Sequence, residues 1–233
     1  MSVPLTRVIG VTTNPASQTR APRLTSVKLH QLSAVDEDRF ADGDDDLEAV
    51  EVDGFSRESL SWPTRRRLDS SRASGLRIEQ WRAHGLAMAE SVLEQVELVS
   101  LHAADGGWRQ VEVRNSRIGS AELSGSVWRS VHFSGCKLGY LNLRDSGVSD
   151  LQFTNCIIEE LDLMRAKATR VAFADCRVSR LELTRATLVD VDLRGAQLSD
   201  VGDLAGLAGA TVSLEQLLDL APLMAARLGV KVE

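Results

Sequence analysis

Long apolar runs are missing from this 233-residue chain. The first thirty residues hold no continuous apolar stretch of signal-peptide length, and none elsewhere approaches the roughly 18 residues of a membrane span. The reading is a cytoplasmic protein with no membrane partner. Cysteine is scarce, at three residues, and an odd number without a secretion signal points to reduced thiols over a disulfide framework. The four histidines, His30, His84, His102 and His132, do not share a face in a twenty-residue register, which excludes a histidine metal cluster. Aromatic residues make up only 4%, and Trp62, Trp81, Trp108 and Trp128 are too scattered for a base-stacking platform.

Two apparent motifs also fail. The glycines between Gly206 and Thr211 are not followed by Lys-Ser or Lys-Thr, so they form no phosphate loop. Asp42-Gly43-Asp44-Asp45-Asp46 imitates the start of a calcium loop, but an EF-hand needs Gly and Glu where this chain has Leu47 and Asp53. The net charge of −6 is uneven: residues 36–53 hold ten acidic side chains against one Arg, and 55–82 hold seven basic against three acidic. Residues 111–200 then balance twelve of each sign. Neither a basic nucleic-acid patch nor a uniformly acidic surface follows, and direct nucleic-acid binding is not expected.

What the chain does have is a period of five. Val113, Ile118, Leu123, Trp128, Phe133, Leu138, Leu143, Val148 and Phe153 are apolar at every fifth position, and the series continues to Leu198 with Ala168 the one small member. Neither a helix nor an isolated strand has this period. The residue two before each centre is also small or apolar, as in Val111, Ser116, Ala121 and Ser126. Each five-residue unit is thus a short extended segment with two inward side chains, followed by a corner. Four units return the chain to its starting azimuth, and a period of twenty results: Cys136, Cys156 and Cys176 form one ladder, and Phe133, Phe153 and Phe173 another. The phase runs backwards through Leu98, Leu93, Met88, Ile78 and Leu68, which extends the tower to roughly seven coils.

Leu-Asn-Leu-Arg-Asp at 141–145, Leu-Asp-Leu-Met-Arg at 161–165, Val-Asp-Leu-Arg-Gly at 191–195 and Ala-Asp-Cys at 174–176 resemble the unit of the pentapeptide-repeat proteins. The resemblance covers at least 111–200 and implies an all-β fold, a right-handed quadrilateral parallel β-helix. Arg117, Val127, His132, Lys137, Gly147 and Lys167 depart from the usual Asp or Asn before the centre. Some members of that family imitate duplex DNA, bind DNA gyrase and protect it from fluoroquinolones. Here Glu112, Glu122, Glu159, Glu160, Asp162, Glu182, Asp190 and Asp192 would supply part of such a surface, against the stacked Arg117, Lys137 and Arg177.

The expected organisation is a flexible N-terminal segment over 1–35, an acidic cap and irregular first coil over 36–65, the repeat β-helix over 66–200, and a short C-terminal helical cap over 201–233. Leu47, Val52, Arg57 and Trp62 follow a phase that jumps by one before Leu68, with Trp62 to Arg67 as an insertion. Ser213 to Gln216 offers a capping box, and Leu214, Leu217, Leu218 and Ala221 share one helical face. That face is a lid on the last coil or, as the sharper alternative, a homodimer surface through 213–228. Pro222 kinks this helix or opens a second one ending at Gly229.

No residue is nominated as catalytic, cofactor-binding or metal-binding. The cysteine ladder reads as buried inert thiols, and His132 as a solvated neighbour of Glu112. The function expected is a non-catalytic, cofactor-free interaction scaffold with a protein partner. The alternative is a DNA-mimicking modulator of DNA gyrase.

Overall fold

The computed structural model describes residues 18–42 and 45–231. Gly43 and Asp44 of the aspartate-rich stretch, and residues 1–17 of the N-terminal segment, lie outside them. The chain winds into a parallel β-solenoid. Each regular coil gives one bent strand to a 12-stranded sheet, such as Val127–Ser134, and one shorter strand to an 8-stranded sheet, such as Lys137–Asn142. Successive strands pair in parallel twenty residues apart: Trp108 lies over Trp128, Phe133 over Phe153, and Phe153 over Phe173.

The period of five maps onto burial. Every centre from Val113 to Leu193 is buried, and Leu198, next to the end, is partly so. The backward extension holds as well, since Leu68, Ile78, Met88, Leu93 and Leu98 are all buried. The aromatic centres form a continuous stack, with Trp108 and Trp128 at 4.6 Å, and Phe133, Phe153 and Phe173 at successive spacings of 5.2 Å. Such stacking adds geometric preference to area burial.

Corners require the left-handed backbone region. Gln110, Asn115, Ser130, Asp145, Asp150 and Asn155 take φ values between 49° and 58°, which Asn and Asp tolerate best among residues with a Cβ. Where the corner is glycine there is a second reason: a Cβ on Gly125, at φ 69°, would sit 2.3 Å from the Asp105 carboxylate. The fourth corner, at Ser120, Tyr140, Glu160 and Arg180, has no positive φ.

Small polar residues two before the centre have more work than filling space. Each turns its side chain along the axis and accepts a main-chain N–H from the coil before: Ser116 from Val96, Ser126 from Gly106, and Cys176 from Cys156. These amides follow or flank corners and would otherwise be buried without a partner.

At the N-terminal end a short helix, α1 (Glu37–Asp42), sets Phe40 into the opening of the tower against Phe55, Trp62 and Trp81. Arg66 lies 4.4 Å over the Trp62 ring and donates to the carbonyls of Phe40 and Asp45. The acidic segment therefore folds onto the arginine-rich insertion. Arg57 binds Glu37, Asp38 and Asp42, and Arg67 binds Asp46. Pairings of Leu47 with Leu68 and Arg57 with Ile78 show that the phase jump is one extra residue in an otherwise continuous stack.

At the other end a single helix, α2 (Leu214–Arg227), runs through Pro222 and stops before Gly229. Its capping box joins Ser213 and Gln216. Gln216 also donates to the carbonyls of Leu193 and Ala196, which form the open edge of the last coil. Leu220, Leu223 and Met224 face the tower, whereas Leu214 and Leu218 are 73% and 64% exposed. The leucine face read from the sequence as a lid is thus turned outward, because Gln216 anchors the helix by the neighbouring face.

Candidate interaction surface

Inward positions are filled, so the polar chemistry sits on outward rows that repeat once per coil. Most of it is self-paired. Arg170 makes two hydrogen bonds to Asp150 one coil below, at 2.6 and 2.7 Å, and Arg165 does the same to Asp145. Arg144 reaches the buried Asp162, Arg194 reaches Asp192, Arg114 reaches Glu112, and Arg180 bridges Glu160, Glu182 and Asp200. Neighbouring guanidinium groups hold the carboxyls of Asp145, Asp150 and Asp192 below the usual carboxylate range.

The eight acidic residues considered for a DNA-like surface do not form one row. Strand register puts Glu112 and Asp192 on one face, Glu122, Asp162 and Glu182 on another, and Glu159 beside Glu160 on a third edge, while Asp190 stands at a corner in the row of Asp150. Asp162 is fully buried and Glu182 nearly so, where they accept main-chain N–H groups of Met164 and Thr184. Tyr140 donates its hydroxyl to Asp162, and burial first, then this carboxylate, pushes the phenol up to about 12.

One cationic row keeps its charge free. Arg117, Lys137 and Arg177 stand in register with Ile157 between the last two, and none has an ion pair among the described residues. The row is exposed. Between α2 and the last coils lies a groove lined by Asp175, Arg177, Arg194, Gln197 and Asp219.

The cysteines are where the period put them, stacked and buried. The Cys136 thiol beside it and burial together push the Cys156 thiol up to about 11, so it is protonated at neutral pH. Among the described residues no three His, Cys, Asp or Glu side chains converge to hold a metal ion. His132 is half-buried and pairs through Nε2 with Thr154 at 3.0 Å, while Glu112, the neighbour expected from the sequence, is taken by Arg114 and by the N–H of Val27. Burial keeps this imidazole below its usual pKa. Among the described residues no helix is long and apolar enough to cross a membrane.

Residues 18–30 run along the outside of the solenoid without helix, and Gln31, at φ 49°, bends the chain before the short strand Ser33–Ala34. Their main-chain N–H groups bond side chains of successive coils: Arg20 to Asp190, Arg23 to Asp150, Thr25 to Ser130 and Val27 to Glu112. Ser33 and Val35 then join the first coil by main-chain bonds to Ala49 and Glu51. The sequence reading missed this contact. Its signal was present in the half-buried Pro22, Leu24, Val27, Leu29 and Leu32, which sit at near-alternate positions as in a strand.

No protein-family model matches this sequence, and no curated protein matches it. Among solved structures the chain is similar to QnrB1, a plasmid-mediated fluoroquinolone resistance protein. A trypsin-treated form shares 15% identity over 86% of this chain and 96% of that one, with a TM-score of 0.28. The full-length form shares 14% over 84% and 95%, with a TM-score of 0.25. At these values the likeness says nothing of activity, and the solenoid stands on its own strand register.

Proposed function

We propose that the chain is a pentapeptide-repeat solenoid, right-handed and four-sided, that serves in the cytoplasm as a non-catalytic scaffold for a protein partner. The observation that carries this reading is the filled interior. From Trp108 to Phe173 the aromatic stack and its aliphatic neighbours occupy the core, and the outward carboxylates are mostly tied to arginines. Among the described residues the groove beside α2 brings no base within hydrogen-bond reach of a nucleophile, which supports recognition by the rows. The row with free charge, Arg117, Lys137 and Arg177, suits an acidic protein surface. The test is cross-linked capture with the wild type and with the Arg117→Glu, Lys137→Glu, Arg177→Glu variant. A partner held by the first and lost by the equally stable second supports the reading; identical capture sinks it.

A second reading is modulation of DNA gyrase. What favours it is the half-exposed Glu122, Glu160 and Asp200; what opposes it is that Asp162 and Glu182 beside them are buried and that Arg144 and Arg180 neutralise the group. Gyrase supercoiling titrated with the protein, with and without a fluoroquinolone, decides it. Inhibition or drug protection establishes gyrase as the partner, and no effect removes it.

A further inference from the structure

The N-terminal segment occupies a site that has the features of a peptide receptor. Its ligand side runs from Gln18 to Val35 with Arg20, Arg23 and Lys28 and no acidic residue. Its receptor side is a corner row carrying Gln110, Ser130, Asp150 and Asp190, with Glu112 beside it. The side chain of Asp150 is 9% exposed, against 66% for Asp105 at a comparable corner, and Ser130 is buried as well.

The spacing explains how an extended chain reads this row. Coils repeat every ~4.8 Å, and an extended chain advances about 3.3 Å per residue, so two residues of ligand reach across one coil with slack and three reach about two coils. Thr25 to Val27 and Arg23 to Thr25 each take one coil in two residues. Arg20 to Arg23 spans two coils in three residues, because the corner skipped, Arg170, offers no acceptor and is itself bound to Asp150. The acceptors are side chains, and they bind main-chain N–H groups, which any sequence other than proline provides. Selection then rests on charge and on the half-buried apolar residues. Gln110 adds a donor to the carbonyl of Ser26, and Arg20 adds an ion pair to Asp190.

We infer that this corner row is a binding site for an extended cationic peptide, occupied in cis by residues 19–29 and open in trans to a partner's segment of the same chemistry. That chemistry is basic, free of acidic residues, and apolar at alternate positions. The cis segment buries no side chain fully between Thr19 and Leu32. It is held by three part-buried main-chain bonds, by the exposed contacts of Arg20 and Gln110, and by the high effective concentration that tethering confers. A ligand with the same pattern displaces it when it is present at sufficient concentration. The site is independent of what meets the Arg117 row on another face.

The test uses the full chain and a labelled peptide with the sequence of residues 18–32. Hydrogen exchange of the wild type is expected to show slower exchange for the amides of Arg20, Arg23, Thr25 and Val27 than for those of Leu24 and Lys28. The variant Arg20→Glu, Arg23→Glu, Lys28→Glu is expected to lose that protection while the solenoid amides keep theirs. It then binds the peptide about tenfold or more tightly than wild type, since the receptor row is no longer occupied. Adding Asp150→Ala and Asp190→Ala, which remove both the acceptor and the charge, to the released variant is expected to abolish binding, with unchanged protection in the aromatic-stack strands as the control for folding. Unprotected amides in the wild type, or no binding by the released variant, overturn the site. Equal binding of a scrambled peptide overturns the pattern requirement. Retained protection in the charge-reversed variant overturns the cationic one.

Discussion

The side chain of Ser146 accepts the main-chain N–H of Ser126 at 3.1 Å, one coil below, and its hydroxyl turns back toward the carbonyls of Leu123 and Arg144. Ser126 repeats the arrangement on Gly106. A buried amide left without its acceptor costs about 1–3 kcal/mol. Ser146→Ala is therefore expected to lower stability by roughly that amount, read by denaturant unfolding. Ser146→Cys is expected to cost less, because Cys176 already accepts the Cys156 N–H in the same place. Equal stability of Ser146→Ala and wild type would show that the ladder is incidental.

Phe153 sits between Phe133 and Phe173 at 5.2 Å from each, with near-parallel rings, and is fully buried. Phe153→Ala is expected to cost ~3–5 kcal/mol through lost burial and a cavity that the stiff coils above and below cannot close. Phe153→Leu should recover much of that loss. An unchanged melting temperature in Phe153→Ala would contradict the stacked core.

His132 gives the fold a defined response to acid. Burial lowers its folded pKa below the usual 6.5, so the unfolded chain takes up the proton more readily. Its contribution to stability is complete above the unfolded pKa and is lost as pH falls through the folded one. His132→Gln is expected to flatten the fall of melting temperature between about pH 7 and pH 5. The paired Asp145, Asp150 and Asp192 act lower, because their folded pKa values lie below the usual 3.8 and their contribution is lost only as pH falls through them. A steep decline near pH 6 that survives His132→Gln would place the titrating group elsewhere.

The tower was legible because its inward positions repeat: Phe133, Phe153 and Phe173 name a rung each, and no local event disturbs them. Features set by single long-range contacts were not. Arg57 stands at a centre position yet remains partly open, because α1 brings three carboxylates to it. The strap over the corner row depends on main-chain N–H groups, which carry no residue identity, meeting Asp190, Asp150 and Ser130 far along the chain. Arginine pairing of the acidic rows was equally hidden, since a count of charges does not say which lie one coil apart. The faces of α2 divided differently from their apolar pattern because a polar residue, Gln216, docks the helix.

That division leaves Leu214, Leu217 and Leu218 exposed on one side of α2, at the free end of the tower. Three exposed leucines in one helical turn form the kind of patch that a monomer seldom leaves open. The proposal of a homodimer through 213–228 draws on this face, since a second copy brings an identical apolar surface about a two-fold axis. Sedimentation velocity at rising concentration is expected to show a dimer for the wild type and a monomer for Leu218→Glu. The substitution lies on the solvent side, so the melting temperature of the coils should stay within a few degrees of wild type once the dimer contribution is removed. A wild type that remains monomeric at about 100 µM, well above the Kd of a stable dimer, overturns the proposal.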